Sequence, residues 1–224
     1  MCRFMAVKSE SPVDPHPLLA SFAEMCRNSK SYDGDWQGDG WGVGTVSQTN
    51  GNPRWLTKKS LRPIWEEADA FRSIPDSRMI LAHARSASFP EHKGIMEFCQ
   101  PFVGEAYAFV FNGLLKGVSL PFAAEGRIGS QKMWSILHSL LKGQSPRSAF
   151  ECLITTMKAN TRSIQAMNIG VCDEDHIYVY SYFTRHPEYY RLHQHSSASL
   201  KIVCSEPLEG FDFFPVVPGN FCSL

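Results

Sequence analysis

The chain has 224 residues, enough to bury one substantial core, and a single domain spanning 1–224 is expected. Its 22 Lys and Arg balance 22 Asp and Glu, which removes the electrostatic case for a nucleic-acid or membrane-surface binder. The seven cysteines (2, 26, 99, 152, 172, 204 and 222) are scattered, odd in number and without a C-x-x-C pair, so neither a disulfide framework nor a zinc knuckle is indicated.

In chain order, residues 2–8 read as a short buried strand. Pro15 and Pro17 open a helix with Leu18, Leu19, Phe22, Met25 and Cys26 on one face. The segment from Asn28 to Gly38 is polar and glycine-bearing, hence a loop. Asp39-Gly40-Trp41-Gly42-Val43-Gly44 leads into a strand, and its alternating glycines mean a backbone that passes close to another group. Asn50-Gly51-Asn52-Pro53 reads as a turn and Arg54–Lys58 as the returning strand of a hairpin. Pro63 starts a second short helix with Ile64, Trp65, Ala68 and Phe71 inward.

Met79–Ala82 is a buried strand running into His83-Ala84-Arg85-Ser86, and Phe89 to Gln100 is a loop. Ala106–Phe111 is an apolar strand closed by Asn112-Gly113. Ser130 is the expected cap of a helix through Leu141, and Pro146 starts another reaching about Asn160. Strands follow at Ala166–Cys172, His176–Phe183, Glu188–Leu192, Leu200–Cys204, Phe213–Val217 and Asn220–Leu224. This is not βαβ alternation; it predicts an α+β fold of two antiparallel sheets with helices packed outside. Arg3 and Lys8 interrupt the start, no apolar stretch has signal-peptide length, and no run approaches the roughly 18 apolar residues of a membrane span. A reducing cytoplasm is the expected compartment, and it suits a free nucleophilic thiol.

Three polar groups close apolar strands: Cys2, Arg85 and Asn112-Gly113. Cys2 is small enough for Met1 to be removed, which puts a thiol and a free α-amine on one residue. An α-amine has a pKa of about 7.7–8.0, so near neutral pH it serves as a base beside its own nucleophile. An Asn side-chain NH2 and a following Gly N–H can both donate to one oxyanion. An Arg guanidinium can clamp a carboxylate with two parallel hydrogen bonds. Two histidines at 193 and 195 make only half a metal site.

The ordered set resembles class II glutamine amidotransferases, which are N-terminal nucleophile hydrolases. The matching residues are Met1-Cys2, Asp39-Gly40-Trp41-Gly42, Ala82-His83-Ala84-Arg85 and Phe111-Asn112-Gly113. Val203-Cys204-Ser205-Glu206-Pro207-Leu208 and Val217-Pro218-Gly219 match the branch of small stand-alone members, so the likeness covers nearly the whole chain. The resemblance implies a four-layer αββα sandwich and hydrolysis of a glutamine-type side-chain amide through a thioester on Cys2. It makes Asn112 and Gly113 the oxyanion hole and Arg85 the clamp on the substrate carboxylate. Asp39 and Trp41 would shape the wall of the substrate pocket, and His83 would be a structural neighbour of Arg85 there rather than the base. No cofactor and no metal are implied. Partners would be a small-molecule glutamine or γ-glutamyl amide, with a partner synthase subunit and a second copy of the chain as further candidates. A binding protein without catalysis, or an amidase silent without such a subunit, is the competing class.

One stretch departs from the family pattern. The family places an Asp, which binds the substrate α-ammonium, just before the helix that follows the oxyanion strand. Here the matching position is Gly129 or Ser130, and no carboxylate occurs between Glu125 and the end of that helix. Either another carboxylate substitutes or the substrate is not free glutamine, for instance a γ-glutamyl amide of a small metabolite or peptide.

Overall fold

The computed structural model describes residues 1–29, 31–49 and 52–224, without the side chains at 48, 49, 52 and 53. The element order is β1 (Arg3–Val13), α1 (Pro15–Asn28), β2 (Trp41–Thr49), β3 (Asn52–Ser60), α2 (Ala68–Phe71), β4 (Ser77–Ala84), β5 (Phe102–Val103) and β6 (Ala108–Val118). Then come α3 (Gly129–Leu141), α4 (Pro146–Ala159), β7 (Thr161–Cys172), β8 (Ile177–Tyr180), α5 (Pro187–Tyr190), β9 (His193–Ser196), β10 (Leu200–Cys204), β11 (Phe214–Pro215) and β12 (Phe221–Ser223).

These strands form two antiparallel sheets, ordered β11-β9-β10-β1-β4-β2-β3 and β12-β8-β7-β6-β5. Side chains alternate across each strand, so each sheet has two buried faces and the core splits into three layers. On β1, Met5 and Val7 join Leu18, Leu19 and Phe22 of α1 on the outer face. Phe4 and Ala6 point the other way and meet Ala108 and Val110 of β6 and Val179 of β8 between the sheets. The far face of the second sheet, with Phe109, Met167 and Ile169, packs on Met133, Leu137, Phe150 and Leu153 of α3 and α4. The result is the expected αββα stacking.

The helix starts follow from local chemistry. Asp14 accepts the amide of His16 at 2.8 Å and Pro15 fills the first turn of α1, where a missing N–H costs nothing. Ser145 does the same for α4, accepting from Ser148 N at 3.3 Å ahead of Pro146. Ser130 does not cap α3. The cap position falls two residues earlier, at Ile128, so the helix begins at Gly129, and Gln131 reaches back to accept the amides of Arg127 and Ile128 at 2.9 and 3.3 Å.

Four other expectations are corrected. The helix after Pro63 is a 3-10 turn (Ile64–Glu66) and the single turn α2, because Glu67 between them leaves helical geometry (φ −127, ψ 34). Its inward residues Ile64 and Phe71 are still buried. Residues 188–192 do not form a strand: Pro187 opens the helical turn α5, which buries Tyr189 and Tyr190. The chain extends instead at His193–Ser196, where β9 pairs with β10 and β11. Asn112-Gly113 does not end its strand: β6 runs through both to Val118, held by the long β7, which itself starts five residues before the predicted Ala166. Of the predicted 50–53 turn, Asn50 and Gly51 lie outside the described residues.

Candidate active site

A cavity of about 1050 Å³ opens between the start of β1, the end of β4 and the middle of β6. Cys2, Arg85, Asn112 and Gly113 all line it. The pairing of β1 with β4 sets Arg3 opposite Ala84, so the neighbouring residues Cys2 and Arg85 leave the sheet side by side at one end.

On β6 the alternation that sends Ala108 and Val110 between the sheets sends Asn112 there too. Asn112 is buried, and its side-chain nitrogen has no hydrogen-bond partner among the described residues. Directly across the ladder, Asn168 is fully satisfied: its amide donates to Tyr190 O at 2.6 Å and accepts from Ser181 Oγ at 2.9 Å. Backbone N–H groups also alternate between the two edges of a strand. Phe111 turns its N–H and C=O toward β5, where the Gln100 side chain takes both, at 2.6 and 3.4 Å. Gly113 presents its N–H to that same edge, where β5 has already ended.

Only glycine fits at 113, since a Cβ there would stand 2.3 Å from Ala166 O. Gly42 has a related role: a Cβ on it would stand 2.3 Å from Gln100 O. The close approach of β2 therefore seats Gln100, and Gln100 fixes the strand segment that carries Asn112. This physical link joins the Asp39–Gly42 motif to the candidate oxyanion donors.

The Cys2 Sγ lies 3.7 Å from Ser86 O. Burial pushes its thiol pKa up, while the nearby N-terminal ammonium, the Ser86 contact and Arg85 pull it down. The Met1 ammonium is ion-paired with Asp35, whose carboxylate also accepts the Ser86 hydroxyl. Behind the nucleophile, Arg3 is 1% exposed. It donates to Tyr189 O at 2.6 Å and Ser29 Oγ at 2.8 Å, pairs with Glu206, and stacks 3.5 Å over the Tyr189 ring. This network fixes the residue next to Cys2. A lone Arg inside an apolar strand signals such a buried pair in the sequence, but its partners, more than 180 residues away for Tyr189, do not show there.

Arg85 is 4% exposed and donates to the backbone carbonyls of Asp39 and His92 at 3.3 and 2.5 Å. Among the described residues no carboxylate pairs with it. A buried guanidinium without a counter-charge, facing a cavity, is a ready anion site.

The other three sequence candidates do not line the cavity. Asp39 accepts Ala87 N at 2.8 Å and pairs with Lys93 at 3.3 Å, so it secures the segment after Arg85 from behind. Trp41 lies on the helix-covered outer face of its sheet, edge-on to Phe71, and donates to Glu67 at 2.8 Å. The alternation along β2 forces that: an outward Trp41 goes with an inward-facing, closely packed Gly42. His83 is fully buried; burial, reinforced by the charges of Arg85 and Lys59 and only partly offset by a contact with the Phe111 backbone, lowers its pKa to about 3. It is a neutral imidazole beneath the site, not a base.

Among the described residues, no cluster of three or more His, Cys, Asp or Glu could hold a metal ion, and no helix is long and apolar enough to cross a membrane. His195, one half of the sequence pair, sets its Nδ1 2.9 Å from the backbone carbonyl oxygen of Asp212.

No protein-family model and no curated protein sequence matches the chain. Solved structures do. A glutamine aminotransferase class-II domain protein from Silicibacter pomeroyi superposes with TM-score 0.66 at 18% identity, covering 99% of this chain and 94% of that one. A predicted glutamine amidotransferase from Pseudomonas aeruginosa gives TM-score 0.57 at 12% identity over 99% and 96% of the two chains. Glutamine phosphoribosylpyrophosphate amidotransferase from B. subtilis gives TM-score 0.67 at 12% identity; all of this chain (100%) is covered but only 49% of that enzyme. The chain therefore has the fold of class II glutamine amidotransferase domains.

Proposed function

We propose that this chain is a cysteine amidohydrolase of the class II glutamine amidotransferase type, acting on a side-chain amide of a carboxylate-bearing small molecule. What supports the reading most is a single juxtaposition: the Cys2 thiol, the unpartnered Asn112 amide and the uncompensated Arg85 guanidinium all border one cavity. The orphaned Asn112 amide and the uncompensated Arg85 charge are costly to leave in that state unless a ligand completes them.

In the proposed reaction the base is the α-amine of Cys2, released when the peptide bond to Met1 is cut. Sγ attacks the amide carbon while its proton passes to the amine. The carbonyl oxygen becomes an oxyanion, stabilised by Asn112 Nδ2 and Gly113 N–H. The C–N bond then breaks as the ammonium returns its proton to the leaving nitrogen, leaving a thioester on Cys2 and free ammonia or an amine. Water, deprotonated by the same amine, adds to the thioester; the S–C bond breaks, and the carboxylic acid leaves with the thiol restored. Arg85 holds the substrate carboxylate throughout and so fixes which bond meets the sulfur. The experiment is ammonia release by material lacking Met1, compared with Cys2→Ala. Hydrolysis lost in Cys2→Ala supports the reading; hydrolysis that survives it refutes the role of the thiol.

A further inference from the structure

The cavity is much larger than its polar end needs. Volumes of roughly 300–1,000 Å³ hold drug-sized ligands, and this one is about 1050 Å³. Away from Cys2, Asn112 and Arg85 much of its wall is apolar, with Leu114, Leu115, Phe122, Ile128, Met133 and Ile136. Its charged residues are all cationic: Arg85, buried, with Lys116 and Lys132 exposed at the rim. Among the described residues no Asp or Glu lines it. Of the carboxylates around it, Asp35 accepts the Ser86 hydroxyl, Asp39 accepts Ala87 N and pairs with Lys93, Glu97 pairs with Arg127, and Glu125, next to Ala124 of the wall, is exposed and does not line the cavity.

A substrate ammonium would thus enter a space with no counter-charge and three positive side chains. Desolvating a cation there without a partner is strongly unfavourable. A carboxylate meets Arg85, and apolar bulk meets the wall. We infer that the cavity selects an amide whose acyl part carries a carboxylate but no free ammonium, with an apolar group filling the remainder: an α-N-acylated glutamine, or more simply the monoamide of a dicarboxylic acid. The inference rests on the amidohydrolase reading above and names its substrate class.

The test is release of aniline from L-γ-glutamyl anilide, and of ammonia from L-glutamine, glutaramate and N-phenylacetyl-L-glutamine, by Met1-free protein. The last three share the side-chain amide and the carboxylate and differ in the α-nitrogen. kcat/KM for both neutral-α substrates is expected to exceed that for glutamine by about tenfold or more, the scale of one lost charge-assisted interaction. N-phenylacetyl-L-glutamine is expected to have the lower KM of the two. A preference for free glutamine, or for a γ-glutamyl anilide that keeps its ammonium, overturns the inference but leaves the amidohydrolase reading standing. No hydrolysis of any of the four overturns both.

A gain-of-function variant tests the cause. Gly129 borders the cavity at the first turn of α3, and an added side chain there meets nothing within 4 Å. Gly129→Asp supplies the missing carboxylate at a helix start that favours it. It is expected to raise kcat/KM for glutamine relative to glutaramate by about tenfold. An unchanged ratio in a variant that unfolds like the parent contradicts the charge argument.

Discussion

Asn112 and Asn168 face each other across the β6–β7 ladder, and they offer a paired experiment. Both are buried amides, but only Asn168 has its hydrogen bonds made. A buried N–H without a partner costs about 1–3 kcal/mol, and an apolar replacement of similar size recovers part of that. Asn112→Leu is therefore expected to leave the unfolding free energy unchanged or to raise it by about 1 kcal/mol. Its kcat is expected to fall about 100–1,000-fold, the usual effect of removing one oxyanion donor. Asn168→Leu should do the reverse to stability. It orphans Tyr190 O and Ser181 Oγ, both deeply buried, and should cost about 2–4 kcal/mol. Urea unfolding of the two variants, with steady-state ammonia release for Asn112→Leu, reads both quantities. An Asn112→Leu protein with unchanged kcat, or one destabilised by more than about 2 kcal/mol, would refute the claim that this amide is held in reserve for the reaction.

Two further outcomes follow from the geometry. Arg85→Gln removes the buried cation while keeping a donor; KM for carboxylate-bearing substrates should rise about 100-fold, with kcat less affected, because the lost bonds exist in ground and transition states alike. His83 gives a pH signature: its folded pKa, about 3, lies below the ordinary 6.5. The unfolded chain then binds a proton that the folded chain refuses, so stability present at pH 7 is lost as pH falls below 6.5. Between pH 7 and pH 5 the loss should be about 2 kcal/mol, and His83→Asn should remove that part of the slope in parallel urea titrations. An identical slope in the variant would mean that His83 is not the group responsible.

The sheets were readable from short, nearly continuous apolar runs, because β1, β4 and β6 are buried on both faces in the way that a sandwich between helices requires. Cys2, Arg85, Asn112 and Gly113 could be picked out because each combines a specific chemistry with a place next to such a strand. Trp41 was misplaced for a reason that lies in three dimensions: which face a strand residue takes depends on its neighbour, and Gly42 had to face Gln100. The run of β6 beyond Asn112-Gly113 was equally hidden, since that pair also reads as a hairpin turn and only its partner strand β7 shows that the chain continues. Asp35 and Tyr189 approach the chain start through loop and turn contacts across long separations, for which the sequence carries no local pattern. The character of the cavity was half legible: the absent carboxylate around Gly129 could be seen, but the apolar wall assembles from β6, α3 and the segment between them.

The central claim is that the Cys2 sulfur, with its own amine free, carries the acyl group. Acid quench during turnover, followed by intact and peptide mass measurement, tests it directly. Protein lacking Met1 is predicted to show the acyl mass on the peptide that begins with Cys2, and protein retaining Met1 to show none. An acyl group found instead on Cys99 or another thiol, or full turnover with Met1 attached, would contradict the account.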